Sequence, residues 1–424
     1  MRLRFDYDRE GLEITLPEEN LLAVATPRLP QAAAKNPLLL QEALAKPLGS
    51  DSLAALARTR DSACVVVPDV TRPLPLPEIL PGLLAAIEEG GIARERICIL
   101  IATGLHRPNE GAELQAMFGT GILRRYRVEN HYASDAGAHV DLGRTKGGVP
   151  VRVDRRLVAA GLKITLGLVE PHFMAGYSGG RKLVCPGVCA AETIRVFHGY
   201  RFLESEQARN CCLAGNPVHA ASTEAAELAG VDFSVNLVMD GDRTVRGVYA
   251  GALNPSFQAA CEAARKLSIF PIPRPADIVV VSGGGYPLDA TWYQSIKGIV
   301  AAQQAVRRGG TIIAVAGLQE GVGSPGFGRL LAETESIESF LTALRTPGFY
   351  RAEQWQLQLF ARVAQKARVR LFSPAVPAER VKAWLVEPLP SIEAGMAQAM
   401  MELGGHASIL AMPHGPYVIP VPTP

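Results

Sequence analysis

Three segments of the 424-residue chain gather side chains whose types and spacing could do chemistry. The first, Asp69-Val70-Thr71-Arg72-Pro73, sets a carboxylate and a guanidinium three residues apart, ahead of a proline. Taken alone it fits a helix cap with a surface ion pair as well as it fits a ligand site. The second, Thr103-Gly104-Leu105-His106-Arg107-Pro108, sets an imidazole beside a glycine turn, a place suited to general acid–base work. The third is the richest. It runs from Glu170 through His172 and Ser178-Gly179-Gly180 to Arg181 and Lys182. The serine–glycine turn can aim several backbone N–H groups at one anion and the two cations add charge, so a phosphate or carboxylate is the natural guest. His198 follows near the end of a short helical stretch. Gln294 and Lys297, three apart and therefore on one helix face, could hold a carboxylate together; the bland alternative is a helix start with a solvated lysine.

Several chemistries lack their usual signatures. There is no GxxxxGK[ST] loop, no GxGxxG after a strand, and no HExxH. The remaining histidines, His131, His139, His219, His406 and His414, are dispersed, and His131 and His219 read as structural or surface residues. Zinc is poorly supported. A metal held by one histidine, with its other ligands supplied by a cofactor, would leave no spacing pattern.

The elements that must position these loops are apolar, β-branched runs alternating with amphipathic stretches. Strands are expected at 63–67, 97–102 and 163–169, each directly before one of the three loops, and helices at 75–89, 108–117, 191–196 and 220–229. Continuous apolar strands alternating with helices indicate a mostly parallel α/β sheet, and such sheets place ligands beyond the strands' carboxyl ends. A hairpin is expected around Arg9-Glu10-Gly11 and another at Met239-Asp240-Gly241-Asp242. The FPIPRP segment at 270–275 marks a boundary before a second α/β unit, with strands at 277–281, 311–315 and 369–372 and helices at 295–307, 336–344, 354–366, 378–386 and 392–403. The expected fold is α/β, two domains with an active-site cleft between them. The first is 1–270, completed by a returning strand within 405–424, and the second is 275–404.

Composition narrows the class further. With 43 Lys+Arg against 41 Asp+Glu and 48% hydrophobic residues, the chain is expected to be soluble, without a nucleic-acid or membrane partner. No run is long enough to span a bilayer and the start is unlike a signal peptide, so the expected address is the cytoplasm. The seven cysteines form no CxxC pair and read as reduced, with Cys64 and Cys98 in the core. Glycine (41) and proline (31) exceed their average shares of roughly 7% and 5%. Gly104, Gly176, Gly179, Gly180 and Gly283–Gly285 fall at strand ends, as expected if backbone there approaches a cofactor or substrate.

Taken in order, the motifs DVTRP at 69–73, GLHR at 104–107, EPHxxAGYSGGRKxxxPG at 170–187, His198 and YQSIK at 293–297 resemble those of the nickel-pincer lactate racemase family, the 2-hydroxyacid racemases and epimerases. The resemblance covers essentially the whole chain. It implies a nickel cofactor, pyridinium-3,5-bisthiocarboxylic acid mononucleotide, attached through a thioamide to Lys182, with His198 as the protein's nickel ligand. His106 and His172 would be the two catalytic acid/bases, one for each face of the substrate. Arg72, Gln294 and Lys297 would grip the substrate carboxylate beside Tyr293 and Trp355. Asp69, Ser178, Gly179, Gly180 and Arg181 would belong to the cofactor site.

The implied reaction removes the C2 hydrogen as hydride while a histidine takes the hydroxyl proton, giving a 2-oxo acid and avoiding a carbanion. The implied partners are a small 2-hydroxyacid and the proteins that make the cofactor. Members resembling this chain act on lactate, malate, aryl lactates or sugar acids; a short aliphatic substrate is expected, because no further arginine suits a dicarboxylate. Two other classes compete. One is a catalytically silent nucleotide- or anion-binding protein, the other an NAD-dependent dehydrogenase, disfavoured by the missing GxGxxG.

Overall fold

Apolar runs such as ACVVVP, ICILIA and LKITLGL cannot stay in water, and their β-branched content favours extended chain. In the computed structural model, which describes residues 1–27, 35–72, 74–241, 243–346 and 348–423, they become the fully paired centre of a sheet. Pro73 of the first loop and Asp242 of the second hairpin turn lie outside the described residues. The chain forms two units: Leu29–Lys266, the middle unit, and Met1–Arg28 with Leu267–Pro424, the split unit.

The middle unit's six-stranded sheet runs in the order Val245–Gly251, Phe233–Met239, Leu162–Leu168, Ala63–Pro68, Ile97–Ala102, Arg127–Asn130. All neighbours are parallel except the first pair, which is the expected hairpin. One face packs on the helix Leu76–Glu89, whose Ile79, Leu80, Leu83, Leu84 and Ile87 are buried against Val65, Val67, Ile99 and Ile164. From Ala63–Pro68 the chain first builds outward through Ile97–Ala102 and Arg127–Asn130. It then returns to add Leu162–Leu168 on the other side. Adjacent strands whose connections leave in opposite directions open a crevice at their carboxyl ends, and all three loops begin there or one strand away.

The expected helix at 108–117 forms instead as Ala112–Arg125. Asn109 and Asn130 hold the preceding segment extended: Asn109 N donates to the Asn130 side chain, whose amide donates back to Asn109 O, both at 2.9 Å.

The split unit's sheet is wholly parallel, in the order Glu387–Pro388, Arg368–Phe372, Val306–Val315, Ala276–Ser282, Ile409–Met412, Leu21–Val24. Two expectations are corrected here. The strand within 405–424 does not return to the first domain, because Ile409–Met412 pairs with Ile278–Val281 on one side and Leu21–Val24 on the other. Residues 1–28 join this unit for the same reason. Four fully buried strand residues, Ile409, Leu410, Ala411 and Met412, need partners on both edges, and the N-terminal segment supplies the second one. The hairpin Arg2–Phe5/Leu12–Thr15 forms as expected and adds Phe5, Ile14 and Leu16 to this unit's core.

The hairpin's tip also closes the strand ends. Asp6 N donates to Pro413 O, Tyr286 N to Asp8 O, and Asp8 N to a carboxylate oxygen of buried Asp289. Gly283–Gly285 is packed closely against protein: a Cβ on Gly285 would lie 3.3 Å from Asp6 Cβ, and one on Gly284 2.8 Å from Leu288.

Candidate active site

Asp69 follows Ala63–Pro68 directly and is buried. One of its oxygens lies 2.6 Å from His106 Nδ1; the other accepts from the backbone N–H and the hydroxyl of Thr71, at 3.2 and 2.6 Å. Burial pushes the Asp69 pKa up, but the bonds from His106 and Thr71 and the charge of Arg72 outweigh it, leaving the carboxyl below its ordinary value. A charged carboxylate at Nδ1 makes that nitrogen the donor, so neutral His106 turns an Nε2 lone pair outward. The ring is 60% exposed, open to a reactant. Asp69, expected in the cofactor site, thus orients the first histidine. Arg72 is drawn to Glu170, Nε to Oε1 at 3.2 Å, a partner that sequence reading left without a role because it lies about a hundred residues away.

Behind this loop, Thr103 donates to His131 O at 2.6 Å, and His131 Nε2 meets His139 Nε2 at 2.9 Å. Burial lowers the His131 pKa to about 4, so the ring is a neutral strut.

The third loop folds as a small hairpin, Pro171–His172 against Gly176–Tyr177. His172 is buried, stacks on Phe173, and its Nδ1 accepts the N–H groups of Met174 and Ala175, both at 3.3 Å. Ser178 commits its hydroxyl to Leu168 O at 2.7 Å, stitching the loop to its strand. Gly179 has φ 76° and ψ −175°, a conformation open essentially to glycine alone, and a Cβ there would lie 2.8 Å from Leu168 O. Gly180 passes the Phe257 ring and Gly176 the carbonyl of Cys212, whereas a Cβ on Gly104 would meet nothing nearer than Pro186 O at 3.9 Å.

Arg181, expected in the cofactor site, turns inward and leaves its Nη1 without a hydrogen-bond partner. Its side chain is fully buried, donating to Ala175 O, Tyr177 O and His219 Nδ1 and lying over the Phe257 ring. The short 3-10 turn Gly180–Leu183 rotates consecutive side chains apart, so Arg181 enters the interior while Lys182 does not follow it.

Lys182 Nζ lies 5.8 Å from the centre of the Phe197 ring, and Phe197 packs edge-on to His198 at 5.0 Å. Burial, then the charges of Arg181 and Arg72, lower the Lys182 pKa to about 7. His198 caps the helix Ala191–Phe197; burial, then Lys182 and His106, lower its pKa to about 3. An amine readily deprotonated near neutrality can be acylated, and a neutral imidazole beside it is a competent metal donor. Among the described residues no group of three or more His, Cys, Asp or Glu could hold a metal ion. These residues fit a metal that arrives with most of its own ligands on a group anchored by an amine.

In the split unit, the helix Trp292–Ala302 is capped by Thr291, whose hydroxyl accepts from Gln294 N. Trp355 Nε1 donates to the Tyr293 hydroxyl at 3.2 Å, which brings these two expected residues together. Gln294 and Lys297 are both half-buried in the first turns of this helix.

The lactate racemase N-terminal domain model matches residues 7–210, and the lactate racemase C-terminal domain model matches residues 272–420. A curated lactate racemase from Lactiplantibacillus plantarum is 34% identical over 97% of this chain and 98% of its own length.

The chain belongs to the lactate racemase family.

A second curated lactate racemase, from Thermoanaerobacterium thermosaccharolyticum, is 29% identical over 98% of both chains. The solved lactate racemase apoprotein from that organism superposes with a TM-score of 0.93, covering 99% of this chain and all of the other. A crystal structure of a Thermotoga maritima protein shares the fold at TM-score 0.66 and 19% identity, covering 89% of this chain and 99% of its own. As a lactate racemase family member, the chain is an isomerase. Among the described residues, no helix is long and apolar enough to cross a membrane.

Proposed function

We propose that this family member inverts C2 of lactate or a related short 2-hydroxyacid, using a nickel-pincer nucleotide anchored at Lys182 with His198 as the protein's nickel ligand. The observation carrying this reading is the grouping of a carboxylate-oriented imidazole, His106, with a low-pKa lysine and a neutral histidine at one set of strand ends. When bound, the nucleotide would supply a reversible acceptor for the C2 hydrogen as hydride.

The chain's own residues do the rest. Arg72, Gln294 and Lys297 are assigned to the substrate carboxylate, with Tyr293 and Trp355 beside them. His106 Nε2 takes the hydroxyl proton from one enantiomer, and Asp69 stabilises the imidazolium that results. His172 serves the hydroxyl of the other enantiomer. A 2-oxo acid that turns between the two histidines emerges with either configuration. Gly179 and Gly180 are assigned to the nucleotide's phosphate through their backbone, while Ser178, expected to share that role, gives its N–H to Glu170 O at 2.9 Å and holds the turn in place. The cofactor is proposed to come from separate biosynthetic proteins, and the site of action to be the cytoplasm.

Co-expression with cofactor-making enzymes should give a mass increment on Lys182, bound nickel, and loss of optical purity from a single lactate enantiomer. A loaded protein that leaves every hydroxyacid of a panel unchanged would refute the reading. Stoichiometric NADH formation would favour a dehydrogenase.

A further inference from the structure

We infer that Cys64 and Cys98 form an oxidisable dithiol: Cys98, set beside Arg127, reacts first with hydrogen peroxide, and Cys64 then closes a reversible disulfide on it.

The sheet itself sets the pair. Cys64 on Ala63–Pro68 and Cys98 on Ile97–Ala102 are direct partners in a parallel register, and Arg127 is the partner of Cys98 on the next strand. Partners at one register position of a parallel sheet point to the same face, so two thiols and a guanidinium stand in one row across three strands. The row faces away from the helix Leu76–Glu89, against which the alternate residues Val65 and Ile99 pack. Cys64 is fully buried and Cys98 is 6% exposed, enough for a molecule the size of peroxide and too little for a peptide thiol.

The two sulfurs are also made unlike. The Cys64 S–H donates to Cys98, and Arg127 adds a hydrogen bond and its charge; against burial and Glu129 these hold the Cys98 pKa below the ordinary thiol value. The same shared hydrogen bond, then burial and Asp154, push Cys64 up, with Arg156 opposing. One sulfur is readied as a nucleophile and its neighbour keeps a proton to give.

In the first step the Cys98 thiolate attacks one peroxide oxygen, forming S–O and breaking O–O. The departing hydroxide takes a proton, leaving a sulfenic acid and one water. The Cys64 sulfur then attacks the Cys98 sulfur, forming S–S and breaking S–O, and its proton leaves with the oxygen as a second water. The two thiols lose two electrons and the peroxide gains them. Adjacent strands lie ~4.8 Å apart, within the Cα range of a disulfide, but side chains projecting in parallel at that spacing exceed its usual Cβ separation of ~3.5–4.5 Å. The bridge is therefore strained, and strained disulfides are the readily reduced ones. The two strands it joins are those that run directly into the loops of Asp69 and His106.

The test treats the full-length chain at neutral pH with hydrogen peroxide, blocks remaining thiols after unfolding, and maps all seven cysteines by peptide mass spectrometry. A Cys64–Cys98 cross-linked peptide should form ahead of any change at the half-buried Cys211 and Cys212, and should vanish with dithiothreitol. Glutathione disulfide should not produce it. In Cys64→Ser, dimedone should capture Cys98 as the sulfenic acid; in Cys98→Ser, Cys64 should stay reduced. Arg127→Met should slow bridging by ~3–10-fold, through the smaller thiolate fraction at Cys98. Cys98 remaining reduced while Cys211 or Cys212 is oxidised would overturn the inference, as would a bridge that forms equally fast in Arg127→Met. The wild-type map decides the first of these without any variant having to fold.

Discussion

Both units carry a mostly parallel sheet whose glycine-rich strand ends hold a carboxylate–imidazole pair, Asp69 with His106 in the middle unit and Asp6 with His414 in the split unit, yet the middle unit's ends add Lys182, with its pKa lowered to about 7. Beyond Ala276–Ser282, Gly283 and Gly284 pack on Asp289 and Leu288 and Gly285 on Asp6 and Asp8 of the N-terminal hairpin, with Asp8 N donating to Asp289. Beyond Ala63–Pro68 and Leu162–Leu168, Asp69, His106, Arg72 and Lys182 remain grouped, with electrostatic effects on one another. A glycine-rich strand end is therefore a permissive backbone and no more. What makes one a site is the set of side chains left facing outward after the chain has packed its own loops.

Substitutions break this contrast in order of size. Removing either acid/base, His106→Ala or His172→Ala, should lower kcat for racemisation by roughly 10²–10⁴-fold with nickel retained, whereas His198→Ala should lose the nickel, as read by metal analysis and chiral chromatography. Next comes a pair of glycine changes. Gly179→Ala puts a Cβ 2.8 Å from Leu168 O in a conformation closed to alanine, and should cost about 1–3 kcal/mol in denaturant unfolding while displacing Lys182 and depressing activity per folded molecule. Gly285→Ala, at φ 67°, should cost about 1–2 kcal/mol with kcat unchanged. Equal loss of activity in the two would erase the distinction between the sheets.

Lys182 sharpens it further. Because the amine is held at about 7 in the folded chain, its acylation by an anhydride, followed by peptide mass spectrometry, should rise with pH around 7. An ordinary lysine titrates near 10.4. The sign for stability is the same: the unfolded chain binds this proton more tightly, so the Lys182 contribution improves as pH rises through 7 towards 10.4. Lys182→Met should remove that slope. The smallest expected effect is that of Glu170→Gln. Freed from its ion pair, Arg72 should bind hydroxyacid a few-fold more tightly, seen as a lower KM, in keeping with the modest worth of a partly exposed pair.

Much of this was legible in the chain. The strands before the three loops announce themselves as β-branched runs, and the order of motifs named the family that the comparisons then showed. What sequence could not supply was long-range partnership. Nothing near Met1 indicates that Leu21–Val24 joins a sheet beside Ile409–Met412, nearly 390 residues on, because an edge strand's pattern does not encode which sheet it will complete. The Asp69–His106 bond and the Arg72–Glu170 pair are likewise products of strand adjacency. The course of Arg181 is set locally. Charge suggested a ligand contact, while a single 3-10 turn sent the side chain inward.

The most direct test supplies the cofactor-loaded protein with enantiomerically pure lactate in deuterium-free buffer, without NAD, and follows both enantiomers by chiral chromatography. The account predicts convergence to equal amounts of the two from either starting enantiomer, with His106→Ala and His172→Ala each slower by roughly 10²–10⁴-fold. Retention of the starting configuration by nickel-loaded wild-type protein, or full activity in either histidine variant, would contradict it.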